Sequence, residues 1–421
     1  MPDAAPKSTE VDLAVVGAGV AGLAAARTAR ERGLRVELLE AKHRTGGRAL
    51  TDVDSLGVPW DRGCHWLHRA RKNPITEIAD RLGFAYRTEP VPGYVWLGDR
   101  WADADEIAER ERSFAAGQEA GHAAAQAAQD VAMSAVLPDA GRWAPLHRQL
   151  LRGLTGADPD ALSVLDDDRY EETGDNWSVR DGYGALVAAW AADTPVRLAC
   201  PVRRIERGGD RVVLETAQGR LTARRAIVTA STSVLAGGAI RFQPALPEQL
   251  LDDLHDVPLG AANKVALAFD RDVFGVAHVH AAHLPRAPRG CNFQIRPFGR
   301  ELAVGNMGGP FAEEIEAAGP DAARQLALDI LAEMYGSAVR RHVTAAASTA
   351  WSGDPWIRGG YSVCRPGRAA ARPRLAQPVD ETLLLAGEAC SLAAYGTANG
   401  AYESGVAAAL AVADALAAPA G

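Results

Sequence analysis

The segment VVGAGVAGLAAA, residues 15–26, constrains the fold more than any other part of the chain. A run of buried-strand character, VDLAVV at 11–16, leads into glycines at 17, 19 and 22, and an alanine-rich helical stretch covers 20–32. In this spacing Gly17 permits a tight turn, Gly19 lets backbone approach a pyrophosphate, and Gly22 lets helix and strand pack closely. The helix start at Val20 and Ala21 offers free N–H groups to negative charge. A second strand, RVELLE at 35–40, ends on Glu40, 23 residues beyond Gly17. That carboxylate suits ribose hydroxyls and repels a 2′-phosphate. Strand, helix, strand and terminal acid together predict a βαβ unit that binds a dinucleotide.

The rest of the chain is too long for one small core. Its 421 residues imply roughly two or three domains. Strand-rich and helix-rich sections alternate. Residues 74–83, 103–135, 186–192, 310–335 and 398–417 read as helical, with a break at Gly319-Pro320. Residues 195–235, 264–308 and 382–387 read as strands, and the acidic stretch 165–181 reads as turns. The alternation predicts an α/β (mixed α+β) chain with two interleaved domains. One takes 10–75, 195–260 and 368–421 and binds the dinucleotide in a Rossmann-like fold. The other takes 76–194 and 261–367, a mixed sheet flanked by helices, and binds substrate.

A net charge of −8 argues against nucleic acid as a partner and suits a cationic small molecule. Five scattered cysteines without a CxxC pair suggest reduced thiols in the cytoplasm. The first residues read as a short disordered lead-in without a secretory signal. No uninterrupted apolar run reaches about 20 residues, so no membrane span is expected. The histidines of HVHAAH, at 278, 280 and 283, have no obvious cysteine or carboxylate partner, and no metal site is expected.

Lysine is rare here. Lys7, Lys42, Lys72 and Lys264 are four among 45 basic residues, and Lys264 is alone beyond residue 72. It sits in AANKVALAFD, whose alternation reads as a half-buried strand. A strand-edge lysine facing water is one reading. The other is a site that needs a compact ammonium whose pKa moves on burial, which arginine cannot supply.

Several separated blocks carry a resemblance. They are the opening βαβ with EAKHRTGGRALT (40–51), DRGCHWLHRARKNPI (61–75), PVRRI (201–205), the stretch 238–269 with Asn263-Lys264, WSGDPWIRGGYSVCRPG (351–367) and LLLAGEACSLAAYGTANGAYESGVAAA (383–409). Together they resemble the flavin-dependent amine oxidases, and the WLH…NPI block resembles the polyamine and spermine oxidases within them. Residues 85–165 match little.

The resemblance implies FAD bound by Gly17, Gly19, Val20, Ala21, Gly22, Glu40 and Ala41. Gly46, Gly47 and Arg48 serve the diphosphate, and Gly63, Cys64, His65 and Trp66 lie beside the flavin. Val202 meets adenine through its backbone, and Trp351, Gly387, Glu388, Gly396, Thr397 and Ala398 complete the cofactor set. It implies substrate contacts at His68, Trp66, Tyr361 and Tyr395, and a catalytic Lys264 that holds a water near flavin N5. The implied reaction moves hydride from an amine to flavin N5; the imine hydrolyses to an aldehyde and O2 becomes H2O2. Gly359-Gly360 is followed by Tyr361 where monoamine oxidases carry a flavin-linked cysteine, so the FAD is expected to be non-covalent. Ser231 stands where a proline is common. A homodimer fits this reading. The alternatives are a flavin-dependent C–C desaturase and a non-catalytic FAD-binding protein.

Overall fold

The computed structural model describes residues 9–418; the lead-in expected before the first strand lies at 1–8, outside them. Strand β1 (Thr9–Val16), helix α1 (Val20–Glu31) and strand β2 (Val36–Leu39) form the opening βαβ, with Val16 opposite Leu39 in parallel register. On its other side β1 runs parallel to the strand Gly219–Val228, and Val16 stands opposite Val228. Leu385 of the strand Leu383–Leu385 then stands opposite Val228. The parallel core is therefore assembled from three distant parts of the chain. A meander of Val202–Gly208 and Arg211–Thr216, edged by Arg241–Gln243, extends the same seven-stranded sheet.

Parallel strands are covered on both faces, which is why VDLAVV has no polar alternation beyond Asp12. Leu13, Val15 and Ile227 pack against α1 and the final helix, Ala398–Ala417; Ala14, Val16 and Val228 pack against the helix Glu248–Asp256 side. The alanine richness of both long helices has a cause. A Cβ at Gly405 would lie 2.1 Å from the Ala21 carbonyl oxygen, so the two helix backbones approach closer than larger side chains allow.

The second sheet is mostly antiparallel, in the order Val343–Ser348, Ala262–Phe269, Leu302–Gly308, Asn292–Ile295, Val279–His283, Gly93–Trp96. Its strands alternate as half-buried strands should. Val265, Leu267, Phe293 and Ala281 face a core capped by the helices Gly309–Ala318 and Pro320–Tyr335. The expected break between those helices is Gly319, at φ +92. Among the described residues no helix is long and apolar enough to cross a membrane. All five cysteines are free thiols.

The acidic stretch departs in part from the expected turns. Val164–Asp167 is a short helix and Trp177–Val179 is a strand. Asp166 and Arg372 are both fully buried, with Arg372 Nε donating to the carboxylate at 2.9 and 3.0 Å and Nη1 donating to Ser362 Oγ at 2.7 Å. The acid thus ties the chain near 166 to the segment just before the final strand. Removing one partner strands the other charge in the interior. Arg372→Met should therefore lower stability in urea denaturation by about 3–5 kcal/mol, and Arg372→Met with Asp166→Leu by clearly less.

Candidate functional site

A cavity of about 840 Å³ lies where the parallel strands end, between the two sheets. Of the residues expected to serve cofactor, substrate or catalysis, Gly22 alone does not line it. Gly22 packs instead: a Cβ there would sit 1.8 Å from the Gly17 carbonyl oxygen. Gly17, at φ +100, leaves no room either, since its Cβ would meet Thr229 Oγ1 at 2.6 Å. Gly19 is different. Nothing lies within 4 Å of a Cβ built on it, so its bare backbone faces the cavity.

One end of the cavity is built from glycine turns and an open helix end. The N-cap of α1, Gly19, supplies no side-chain cap, which leaves the first N–H groups of the helix for an anion. The turn at Gly46-Gly47 packs onto Gly19, a Cβ at Gly47 falling 3.2 Å from Gly19 Cα. Glu40 is buried; its Oε2 accepts from Ala18 N at 2.7 Å and its Oε1 from Lys42 N at 2.8 Å. Each oxygen keeps a further lone pair for a ribose hydroxyl. The two glycine turns, the open helix end, Glu40 and Arg48 fit a dinucleotide with a diphosphate.

Glu388, expected as a cofactor contact, lines the cavity and is held by four hydrogen bonds from the protein. Its Oε1 accepts from Arg48 Nη1 at 2.9 Å and Ser362 N at 3.1 Å; its Oε2 accepts from Ser362 Oγ at 2.6 Å and Gly396 N at 2.7 Å. These fill its acceptor sites. Glu388 therefore aims Arg48 and anchors the turn before the final helix. The Arg48 guanidinium next to it, with Ser362 and Arg372, holds the buried carboxyl below the usual carboxylate range despite the opposing cost of burial. That helix begins at Thr397, whose Oγ1 accepts from Gly400 N at 3.1 Å.

Lys264 stands on the cavity side of the second sheet. Register explains its neighbours: Lys264 is opposite Asn306, and Asn306 opposite Asn292. One row along, Gln294 is opposite His280. All five line the cavity, making a polar floor on an otherwise apolar sheet. The Lys264 ammonium donates to the carbonyls of Asp61 at 2.9 Å and Gly63 at 2.6 Å, and to His65 Nδ1 at 3.1 Å. Burial lowers its pKa to about 8, against the pull of the Asp61 carboxylate. An ammonium only donates, so His65 Nδ1 must accept and its proton sits on Nε2; the Gln294 amide, 2.7 Å from Nε2, then accepts it through its oxygen, with the amide turned to present Oε1. Burial first and the Lys264 charge second hold His65 well below its usual pKa, in the neutral form.

The neighbouring asparagine has its own task. Asn263 points to the opposite face, where its Oδ1 accepts from Thr349 Oγ1 at 2.9 Å and Trp351 N at 3.4 Å. It fixes the Trp351 segment, and Trp351 Nε1 donates to Arg62 O at 3.2 Å. Ser231 caps the helix Thr232–Ala236 through Val234 N and donates to Ile357 O at 2.7 Å, which gives the hydroxyl a use where proline could make neither bond.

An arm of the cavity is built by 113–172, the region the sequence left blank. Tyr361 Oη donates to Gly153 O at 2.9 Å, and Tyr395 Oη to Asp167 Oδ1 at 3.3 Å. Asp167 and Glu172 both line this arm. Burial raises the Asp167 carboxyl to about 6, although the Tyr395 hydrogen bond opposes it. His68 also lines the cavity, with Nδ1 2.7 Å from Asn176 Oδ1. Sequence reasoning missed Asn292, Gln294, Asn306 and Asp167. The polar positions in NFQI and LAVGNMG, alternating with apolar ones, were the available signal for the first three.

A family profile described as flavin containing amine oxidoreductase matches residues 20–104 and 132–413. Polyamine oxidase 4 of Oryza sativa subsp. japonica is 29% identical over 439 residues, covering 94% of this chain and 87% of its own length. Lysine-specific histone demethylase 1 homolog 2 of the same plant is 30% identical over 455 residues; the match takes in 96% of this chain but 57% of that protein. The structure of cyclohexylamine oxidase from Brevibacterium oxydans IH-35A superposes with a TM-score of 0.83 at 24% identity, over 97% of this chain and 100% of that one. The cradle makes a sharp demand on Gly22. Gly22→Ala should weaken flavin binding at least tenfold, about 1.4 kcal/mol, read as flavin absorbance retained through dialysis.

Proposed function

Because the chain belongs to the flavin-containing amine oxidoreductases, we propose that it oxidises a di- or polyamine with O2, using FAD held without a covalent bond. The observation that carries this reading is that the nucleotide cradle and Lys264 line one continuous cavity. The segments 10–75, 195–260 and 368–421 serve the cofactor, with Val202 at the adenine. The segments 76–194 and 261–367 serve the substrate. Work on a small amine in the cytoplasm, rather than on nucleic acid or at a membrane, fits the acidic chain.

Non-covalent binding is favoured by the thiols. Burial pushes Cys64, which lines the cavity, and Cys364 up to about 12, so neither is a ready nucleophile. The flavin, held by the glycine turns, Glu40 and Arg48, would supply the two-electron redox chemistry between the carbon next to the amine nitrogen and O2. The balance is amine plus O2 plus water to aldehyde, released amine or ammonia, and H2O2. The protein positions the reactants and sets the charge around them. Below pH about 8 Lys264 places a positive charge on the cavity floor. Above pH about 6 the Asp167 carboxylate attracts a second ammonium of the substrate. A substrate with two cationic nitrogens suits this pairing, and the polyamine oxidase name of a relative agrees with it.

Lys264→Met should slow flavin reduction or reoxidation at least tenfold in rapid mixing, about 1.4 kcal/mol of barrier. Peroxide release over putrescine, spermidine, spermine and aromatic monoamines tests the substrate class, and no release from any amine would overturn it. Asp167 is ionised above its raised pKa, so the KM for a diamine should fall as pH rises through about 6. Asp167→Asn should flatten that profile and raise the diamine KM about tenfold while leaving monoamine KM near wild type.

A further inference from the structure

Three polar groups on the cavity floor form a chain: Lys264, His65 and Gln294. Lys264 lies in the strand Ala262–Phe269, His65 in the loop that wraps its ammonium, and Gln294 in the strand Asn292–Ile295. Alternation puts Gln294 on the same face as Asn292, and Asn292 is joined to Lys264 in register through Asn306. Lys264 Nζ is 3.1 Å from His65 Nδ1, and His65 Nε2 is 2.7 Å from the Gln294 amide. The far atom of that amide has no hydrogen-bond partner among the described residues, and Gln294 lines the main cavity. The same three residues also line a second cavity of about 50 Å³, on the side of Asp61 and Arg300. His65 thus sits between an amine and an amide, each able to bond either way round.

The proton on Lys264 decides how the chain is wired. A charged ammonium has three N–H groups and no lone pair, and they meet Asp61 O, Gly63 O and His65 Nδ1. The His65 proton is then on Nε2, the Gln294 oxygen accepts it, and the amide NH2 faces the cavity. A neutral amine has two N–H groups and one lone pair. The two carbonyls still take both N–H groups, and the lone pair now needs a donor. His65 supplies it from Nδ1, its Nε2 accepts from the Gln294 NH2, and the amide oxygen faces the cavity. Both wirings satisfy every group in the chain with the heavy atoms in place. We infer that Lys264, His65 and Gln294 reverse their hydrogen bonds together when the lysine gains or loses a proton, so that Gln294 offers the cavity its NH2 beside a charged lysine and its Oε1 beside a neutral one. His65 and Gln294 are then positioning residues that report the lysine charge to the cavity. An oxygen atom is favoured beside Gln294 in the first state and a substrate N–H in the second, a consequence that rests on the amine-oxidising reading of the same cavity. The groups that face this chain are Asp61 and Cys64 in the same loop, Arg300 acting on Asp61, Arg48 on Cys64, Tyr183 on both, and His68 and His280 on His65. Burial keeps the thiol, the phenol and both imidazoles neutral near pH 8, while it brings Lys264 itself to about 8.

The test follows the His65 tautomer in the flavin-loaded chain without substrate or turnover. Nitrogen-15 NMR of histidine-labelled protein should find the His65 proton on Nε2 at about pH 7 and on Nδ1 at about pH 9.5, with the crossing near the lysine value of about 8. Lys264→Met removes the titrating partner, so the tautomer should no longer change across that range. Gln294→Glu, once ionised, only accepts and so holds the proton on Nε2; the crossing should move up by about one pH unit or more. A merely structural role for His65 or Gln294 would move neither tautomer nor crossing. A wild-type tautomer that stays fixed over the range, a change that persists in Lys264→Met, or a crossing that Gln294→Glu leaves in place would overturn the inference. Failure of the amine-oxidising reading is a separate result, since no amine would then reduce the flavin while the tautomer still crossed with pH.

Discussion

A single ammonium group sets the demands on the site. Lys264 is surrounded by two backbone carbonyls, a histidine nitrogen and a polar strip of sheet. Burying a charge is costly unless donors and acceptors are matched, and here its three protons meet three acceptors from one loop, Asp61 to His65. That loop must therefore be held in a fixed shape. Asp61 holds it, its carboxylate accepting from Thr51 Oγ1 at 2.6 Å and from Tyr183 N and Gly184 N at 2.9 and 3.1 Å. Burial raises the pKa of Asp61, while the Lys264 charge and these donors favour its ionised form. The lysine, the loop and the helix Tyr183–Ala191 are thus one electrostatic unit built from three parts of the chain.

The cofactor cradle shows the same logic. Arg48 reaches the cavity because Glu388 aims it, and Glu388 can do so because Ser362 and Gly396 fill its other acceptor sites. Ser362 in turn bonds Arg372, which neutralises Asp166. A charge network therefore runs from the helical arm at 166 to Arg48 at the glycine-lined end of the cavity. Changes far from the cavity can reach it through these bonds rather than through vague flexibility.

Much of this was legible in the sequence, and the legible parts share a cause. The βαβ opening, Glu40 and the Gly46-Gly47 turn use local geometry, where a residue type answers a backbone need within a few positions. Lys264 stood out because arginine dominates the basic residues. The bonds Glu388 makes to Ser362 and Arg48 were not legible because those partners are 26 and 340 residues away. Asp166 and Asp167 lay in an acidic stretch that read as turns, while burial is a property of the tertiary structure. The contact of His68 with Asn176 depends on a strand pairing between residues 66 and 178, which no local pattern announces.

The central claim is that a buried, weakly acidic ammonium beside the bound flavin controls its chemistry. The most direct measurement is the rate of reaction of reduced flavin with O2, followed by rapid mixing between roughly pH 6 and 10. The account predicts a high rate at low pH that falls as pH rises through about 8, where Lys264 gives up its proton. A rate that stays flat across that range, or rises with pH, would contradict it.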